Sequence, residues 1–280
     1  MNPATQYNNL KRQYEKGKKG PDFLLALINA AQQANDSEFT PVVMNAYLTT
    51  QKDLLTAENL KFISIATSKT TDPGYSILRN HGEKVDSVAG KGKSAEIIKT
   101  VVFDEIVLPY LRVGGVKMNY GGGMVDYTGE LNKNVDWAVI KAKLNTQYPN
   151  LSDEIIMSAK PMYFRWQDNW PAFSEAVSAY ASKYGNGLNN NVINSYAWDI
   201  FLFSNDVKCM EAALAWSKGT LSGENDKNIM YLYTYGNLLY KSGKKEQAIA
   251  TIEDAIKYSG EVNGQLTTLV GKMKNGEKTW

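Results

Sequence analysis

The sequence predicts an all-α protein, an α-solenoid of stacked helical hairpins in which residues 1–280 form a single helical-repeat domain. Three observations predict it. Apolar residues recur at helical spacing through most of the chain, as in Phe23, Leu24, Leu27, Ile28 and Ala31, or Ile97, Ile98, Val101, Val102 and Ile106. From Tyr7 to Pro109, helix follows helix across short polar connections, and no segment alternates apolar with polar residues as a half-buried strand would. In the last third, two hairpins repeat the same order of large and small residues.

The first helix ends at Gly17 and Gly20. Pro21 with Asp22, Ser37 with Pro41, and Asp72 with Pro73 each mark a helix start, because proline suits a first turn whose N–H groups lack intrahelical partners. Gly90 and Gly92 mark a further boundary. Residues 1–112 therefore read as helical hairpins. Residues 113–134 interrupt them with Gly114, Gly115, Gly121 to Gly123 and Gly129, which predicts an inter-helix loop, with a short hairpin as the alternative. A phosphate cradle is excluded, because Gly123 is followed by Met124 and Val125 where a P-loop requires Lys and Ser or Thr. Helices resume over residues 135–280, at Trp137 to Leu144, Ser152 to Met157 and Pro171 to Tyr184.

The repeats lie at about 190–222 and 228–260. In the second, Leu232, Tyr235, Gly236 and Leu239 share one helix, and Ala248, Ile252 and Ala255 the next. In the first, Ile193, Tyr196, Ala197 and Ile200 are followed by Ala213, Ser217 and Thr220. Small residues at Gly236, Ala248 and Ala255 let the two helices of the second repeat approach closely while the larger ones fill the remaining space. Ala213 to Ala248 and Thr220 to Ala255 are each about 35 residues apart, close to the 34 of tetratricopeptide repeats, which the large and small positions also resemble. Ala197 to Gly236 is about four longer, and the turn between Phe203 and Lys208 is expected to absorb the difference.

The same region resembles a more specific family, the helical segment that follows the thioredoxin domain in thioredoxin-like proteins of the Bacteroidetes. The motifs are Leu188-Asn189-Asn190 leading to Tyr196-Ala197-Trp198, then Ala213-Leu214-Ala215-Trp216, then Tyr233-Thr234-Tyr235 leading to Leu238-Leu239-Tyr240-Lys241-Ser242-Gly243-Lys244. Tyr14 to Gly17, Tyr47-Leu48 and Glu58-Asn59 extend the likeness weakly toward the start. The resemblance implies a cell-envelope protein, periplasmic or secreted if a leader was removed, whose helical part supports or docks partners. The family's catalytic cysteine pair would lie before residue 1, so the resemblance also allows an accessory region of a thiol-disulfide oxidoreductase.

Composition narrows the functional classes. With 43% hydrophobic and 21% charged residues the chain is apolar enough to fold. Its 31 Lys and Arg balance 29 Asp and Glu, leaving no net field to attract nucleic acid or an anionic membrane. The local basic run of Lys11, Arg12, Lys16, Lys18 and Lys19 reads as a solvated helix end or as a polyanion contact. No segment approaches the roughly 18 apolar residues of a membrane span. A lone cysteine, Cys209, rules out an intramolecular disulfide, a CxxC pair or a multi-cysteine zinc site; it reads as a small buried hydrophobe or as a partner in an intermolecular disulfide. His81, the only histidine, precedes Gly82 near a helix end and reads as a capping or surface residue. Asp104-Glu105 and Asp153-Glu154 are adjacent on helices and read as solvated faces. HExxH and GxSxG are absent, and no metal, cofactor or catalytic activity is expected.

What remains is a surface for protein partners. Tyr196 and Tyr235 fall on core positions of the repeat, whereas Asn194, Trp198, Tyr233, Asn237 and Tyr240 fall on first-helix positions turned away from the paired helix. These five are the candidate partner-binding residues, because amphipathic aromatics favour protein interfaces. For the aromatics, packing against the neighbouring helix is the competing reading.

Overall fold

A computed structural model describes residues 3–119, 125–184, 189–260 and 264–280. Its helices pack in series on their sequence neighbours, as an all-α helical-repeat fold requires. Contacts divide the chain into two compact units, Met1–Ile155 and Ile156–Trp280, where the periodicity alone reads as one domain.

The first unit begins with α1 (Pro3–Glu15), α2 (Pro21–Gln33), α3 (Phe39–Leu48) and α4 (Ala57–Ala66). Pro21 opens α2 as expected, and the Thr56 hydroxyl caps α4 by accepting from Asn59 N at 3.3 Å. In the basic run, Lys11 is tied inward rather than free. Its ammonium and the Tyr7 hydroxyl both donate to Asp36 Oδ2, at 3.0 and 2.6 Å, and the Tyr7 bond is the main cause holding the Asp36 carboxyl down at about 2. The series continues through α5 (Tyr75–Asn80), α6 (Gly82–Ala89) and α7 (Lys93–Val102). Leu24, Leu27, Ile28, Val43, Ile63, Val85 and Val101 fill the interior.

The helix leaving α7 widens into a π-helical turn, Phe103–Val107, before the short α8 (Leu108–Leu111). Pro109 explains the widening, since it has no N–H to offer Glu105 and its ring would collide with that carbonyl in a regular turn. The following segment is not a plain loop. β1 (Arg112–Val113) pairs antiparallel with β4 (Glu130–Leu131), and β2 (Lys117–Asn119) with β3 (Val125–Tyr127). The short-hairpin alternative therefore describes the residues flanking the glycine triplet, and the triplet itself lies outside the described residues. Asp104 is likewise not on a solvated face. It is covered by this hairpin, pairs with Lys117 at 3.1 Å and has its pKa raised by burial, while Tyr127 meets Phe103 edge-on at 5.8 Å. Glu105 accepts from the Thr70 N–H and hydroxyl at 3.1 and 2.6 Å. α9 (Trp137–Gln147) completes the unit, and α10 (Ser152–Trp166) begins in it; Glu154 pairs with Lys99, and the Tyr75 and Tyr148 hydroxyls meet at 2.8 Å.

The second unit contains α11 (Trp170–Tyr184), α12 (Asn190–Phe203), α13 (Val207–Thr220), α14 (Ile229–Lys241), α15 (Lys245–Tyr258) and α16 (Gly264–Asn275). Phe173, Val177, Ala197, Ile200, Phe201 and Ala213 form one core, and Leu232, Leu239, Ala248, Ile252, Leu266 and Met273 belong to a second. The close-contact register is visible at Gly236. A Cβ built there would lie 2.5 Å from Ile252 Cδ1 and 2.8 Å from its Cγ1, so any larger residue must displace the Ile252 side chain that packs over Gly236, while the Ala248 carbonyl oxygen stays at an ordinary 3.5 Å. The four extra residues between Ala197 and Gly236 are not in the turn. Both hairpin turns are short, Ser204 to Asp206 and Ser242 to Lys244, while α13 starts nearly a full turn earlier relative to Ala213 than α15 does relative to Ala248. Four residues are close to one 3.6-residue turn, so lengthening the helices preserves the facing side chains.

Candidate functional site

The five candidate residues sit on α12 and α14, the first helices of the two repeats. Each helix starts on an asparagine. Asn189 Oδ1 accepts from Asn191 N at 2.8 Å, and Asn228 Oδ1 accepts from Met230 N and Tyr231 N at 3.0 and 3.2 Å. The Tyr231 hydroxyl then donates to Asn191 Oδ1 at 2.7 Å, fixing the two helix starts beside one another. At one common spacing Asn194 corresponds to Tyr233, Trp198 to Asn237 and Phe201 to Tyr240. The repeat thus sets an asparagine opposite an aromatic at its first position and reverses the order at the second.

Packing of α12 on α14 turns this pattern into a ladder of rings. Trp198 lies 5.4 Å from Tyr233 and 4.7 Å from Phe201, with both ring pairs tilted. Trp198, Tyr233 and Tyr240 are partly buried, so each packs and also presents surface. Asn194 and Asn237 do not. Both are buried, Asn237 completely, because the side of α14 turned away from α15 meets α12 rather than solvent. Asn237 Nδ2 donates to the Tyr233 carbonyl at 2.9 Å, and the Oδ1 atoms of Asn194 and Asn237 have no partner among the described residues. The open groove expected over all five positions is therefore reduced to its aromatic members.

Three residues beyond the five belong with them. Phe201 is fully buried in the ladder. Lys241 donates to the Phe201 and Ser204 carbonyls at 2.6 and 2.8 Å, closing the C-terminal end of α12, and burial lowers its pKa. Trp280 lies 6.3 Å from Phe201 and 6.2 Å from Tyr240, and the Tyr240 hydroxyl reaches the Met273 carbonyl at 3.3 Å. Phe201 had a signal, since it occupies the position equivalent to Tyr240. Trp280 had none, because its place depends on how the chain leaves α16.

Other reactive groups are engaged structurally. Cys209 is buried, its Sγ donates to the Trp170 carbonyl at 3.5 Å, and burial pushes its thiol up, against thiolate formation. His81 is exposed between α5 and α6, beside an open depression of ≈ 620 Å³. There Asp86 accepts from the Gly92 and Ser94 N–H groups at 2.7 and 2.8 Å and so caps α7. Asp199 is buried against Arg165 Nη2 at 2.9 Å, and its carboxyl is pushed up to about 6 by burial despite that partner. No group of three or more His, Cys, Asp or Glu among the described residues is placed to hold a metal, and no helix among them is long and apolar enough to cross a membrane.

Comparison with family models, with curated proteins and with solved structures finds no match for this chain.

Proposed function

We propose that the chain is a non-catalytic protein-interaction or scaffold module, its last two hairpins acting as tetratricopeptide-like repeats. The carrying observation is the partly exposed ring pair Trp198 and Tyr233, supplied by two successive repeats and held in place by the buried Asn237 and Phe201. Rings fixed by packing lose little rotamer entropy on binding, which is why aromatic anchors dominate protein interfaces. The expected partner is a protein or peptide of the cell envelope, in a periplasmic or extracellular compartment, as the family resemblance implies. The test is capture from envelope extract by immobilised protein. Trp198→Ala and Tyr233→Ala should each reduce capture while preserving the helical circular dichroism spectrum. Undiminished capture by both variants would remove this face from the function.

The alternative is an accessory region of a thiol-disulfide oxidoreductase, favoured by the Tyr233-Thr234-Tyr235 and Leu238 to Lys244 motifs. Buried Cys209 offers no exposed thiol for such exchange in this chain. The purified chain should therefore leave the rate of insulin reduction by dithiothreitol unchanged.

A further inference from the structure

Val207, Met210 and Leu214 recur at helical spacing along α13 and form the apolar wall of an open cleft of ≈ 400 Å³ between this helix and the α14–α15 turn. Met210 also belongs to the core, whereas Val207 is 68% exposed, so the apolar stripe runs from the interior out to solvent. The other wall is polar. Lys241, Ser242 and Lys244 supply it from the end of α14 and the turn into α15. Trp280 is also on the lining, and the Lys241 and Lys278 ammonium groups stand 5.5 and 5.8 Å from its ring centre. Three cations thus gather at this side of the cleft, against the single carboxylate of Glu211 on α13.

Two further observations show what this polar wall lacks. Burial lowers the pKa of Lys241 and the charge of Lys278 lowers it further, and a carboxylate brought into the cleft offsets both effects. The Ser242 hydroxyl oxygen is buried and has no hydrogen-bond partner among the described residues, a cost that a polar group of a ligand removes. The walls therefore ask for opposite chemistries, apolar toward α13 and anionic toward the turn. An extended chain meets such a demand residue by residue, because its successive side chains point to opposite sides. The stripe from Val207 to Leu214 is two helical turns, about 10 Å, and alternate side chains of an extended segment are about 7 Å apart, so two of them cover most of it.

We propose that this cleft binds an extended segment of a partner protein in which aliphatic and acidic residues alternate, the aliphatic side chains lying on Val207, Met210 and Leu214 and the carboxylates facing Lys241 and Lys244. The proposal rests on the interaction-module reading and names the partner's chemistry at a surface separate from the Trp198–Tyr233 pair. Apolar burial against α13 supplies the affinity, and the lysines select the carboxylates and the register.

The probe is a synthetic peptide of three Leu-Glu repeats, blocked at both ends and titrated into the full chain by isothermal calorimetry. It should bind, and the neutral peptide of three Leu-Gln repeats should bind about tenfold more weakly, since charge-assisted hydrogen bonds are lost. A peptide of three leucines followed by three glutamates, equal in composition but without alternation, should also bind about tenfold more weakly. Val207→Asp should weaken the alternating probe about tenfold, and Lys244→Gln about threefold, because an exposed ion pair contributes little. Both side chains are exposed, so neither change should move the melting temperature; if Val207→Asp does, Val207→Ser replaces it. No binding, or equal binding of the alternating probe and either control peptide, overturns the proposal. Undiminished binding to the Val207 variant also overturns it, by placing the probe elsewhere. If the probe fails while envelope capture still depends on Trp198 and Tyr233, the cleft falls and the interaction-module reading stands; if both fail, both fall.

Discussion

Asn237 occupies a position that the repeat turns away from its own paired helix, yet it has no exposed surface, because the neighbouring first helix covers it. Asn237→Ala removes its bond to the Tyr233 carbonyl and leaves a small void, at a cost of about 1–2 kcal/mol. Differential scanning fluorimetry should show a melting point lower by several degrees, and a parent-like melt would mean that the side chain contributes nothing to the core. Asp199 makes a prediction of opposite character. Its carboxyl ionises near 3.8 when unfolded and at about 6 when folded, so the folded protein keeps a proton that the unfolded chain has released. This contribution is fully present below the unfolded value and is lost as pH rises through about 6, by at most about 3 kcal/mol. Thermal stability should fall between pH 4 and 7, and Asp199→Asn, which has no proton to lose, should flatten that part of the profile. A slope unchanged by the substitution would assign it to other groups.

The helices were legible because their information is local. The phase of Leu24, Leu27, Ile28 and Ala31, the prolines at helix starts and the Gly236–Ala248 approach all follow from spacing within one or two turns. Gly236→Leu should cost about 1–3 kcal/mol or more by wedging α14 from α15 against Ile252, and Ile252→Ala in the same chain should recover part of the loss. Strictly additive losses in chemical denaturation would show that the two side chains do not compete for one space. The hairpin between α8 and α9 was less legible, since its strands are two or three residues long and are braced from outside by Asp104, which pairs with Lys117, and by Phe103, which meets Tyr127. Lys117→Ala should destabilise the protein by leaving Asp104 covered without its cation, whereas Asp104→Asn combined with Lys117→Ala should cost less than the lysine change alone. The candidate site was half legible for the same reason. Ring positions repeat along the sequence, but whether an asparagine between them faces water depends on the next helix, which no local pattern encodes.

Each compact unit has buried residues enough for a core of its own, and in the second these form two clusters, one built on α11 to α13 with Leu238 of α14 and one on α14 to α16. Nearest-neighbour packing is what makes helical-repeat proteins divisible, because each hairpin relies on the one beside it rather than on distant chain. A division placed at residue 155 would cut α10, which runs from Ser152 to Trp166, so a self-sufficient fragment has to begin before that helix. Residues 149–280 meet this condition, retain both clusters and keep the Trp198–Tyr233 pair together with the Trp280 ring beside Phe201. The fragment should be mostly helical by far-ultraviolet circular dichroism and should melt cooperatively. It should also capture the same envelope partners as the full chain, with the same sensitivity to Trp198→Ala. A fragment that folds without capturing partners would move the interaction surface to residues 1–155, and one that does not fold would show that the second unit depends on the first for its stability.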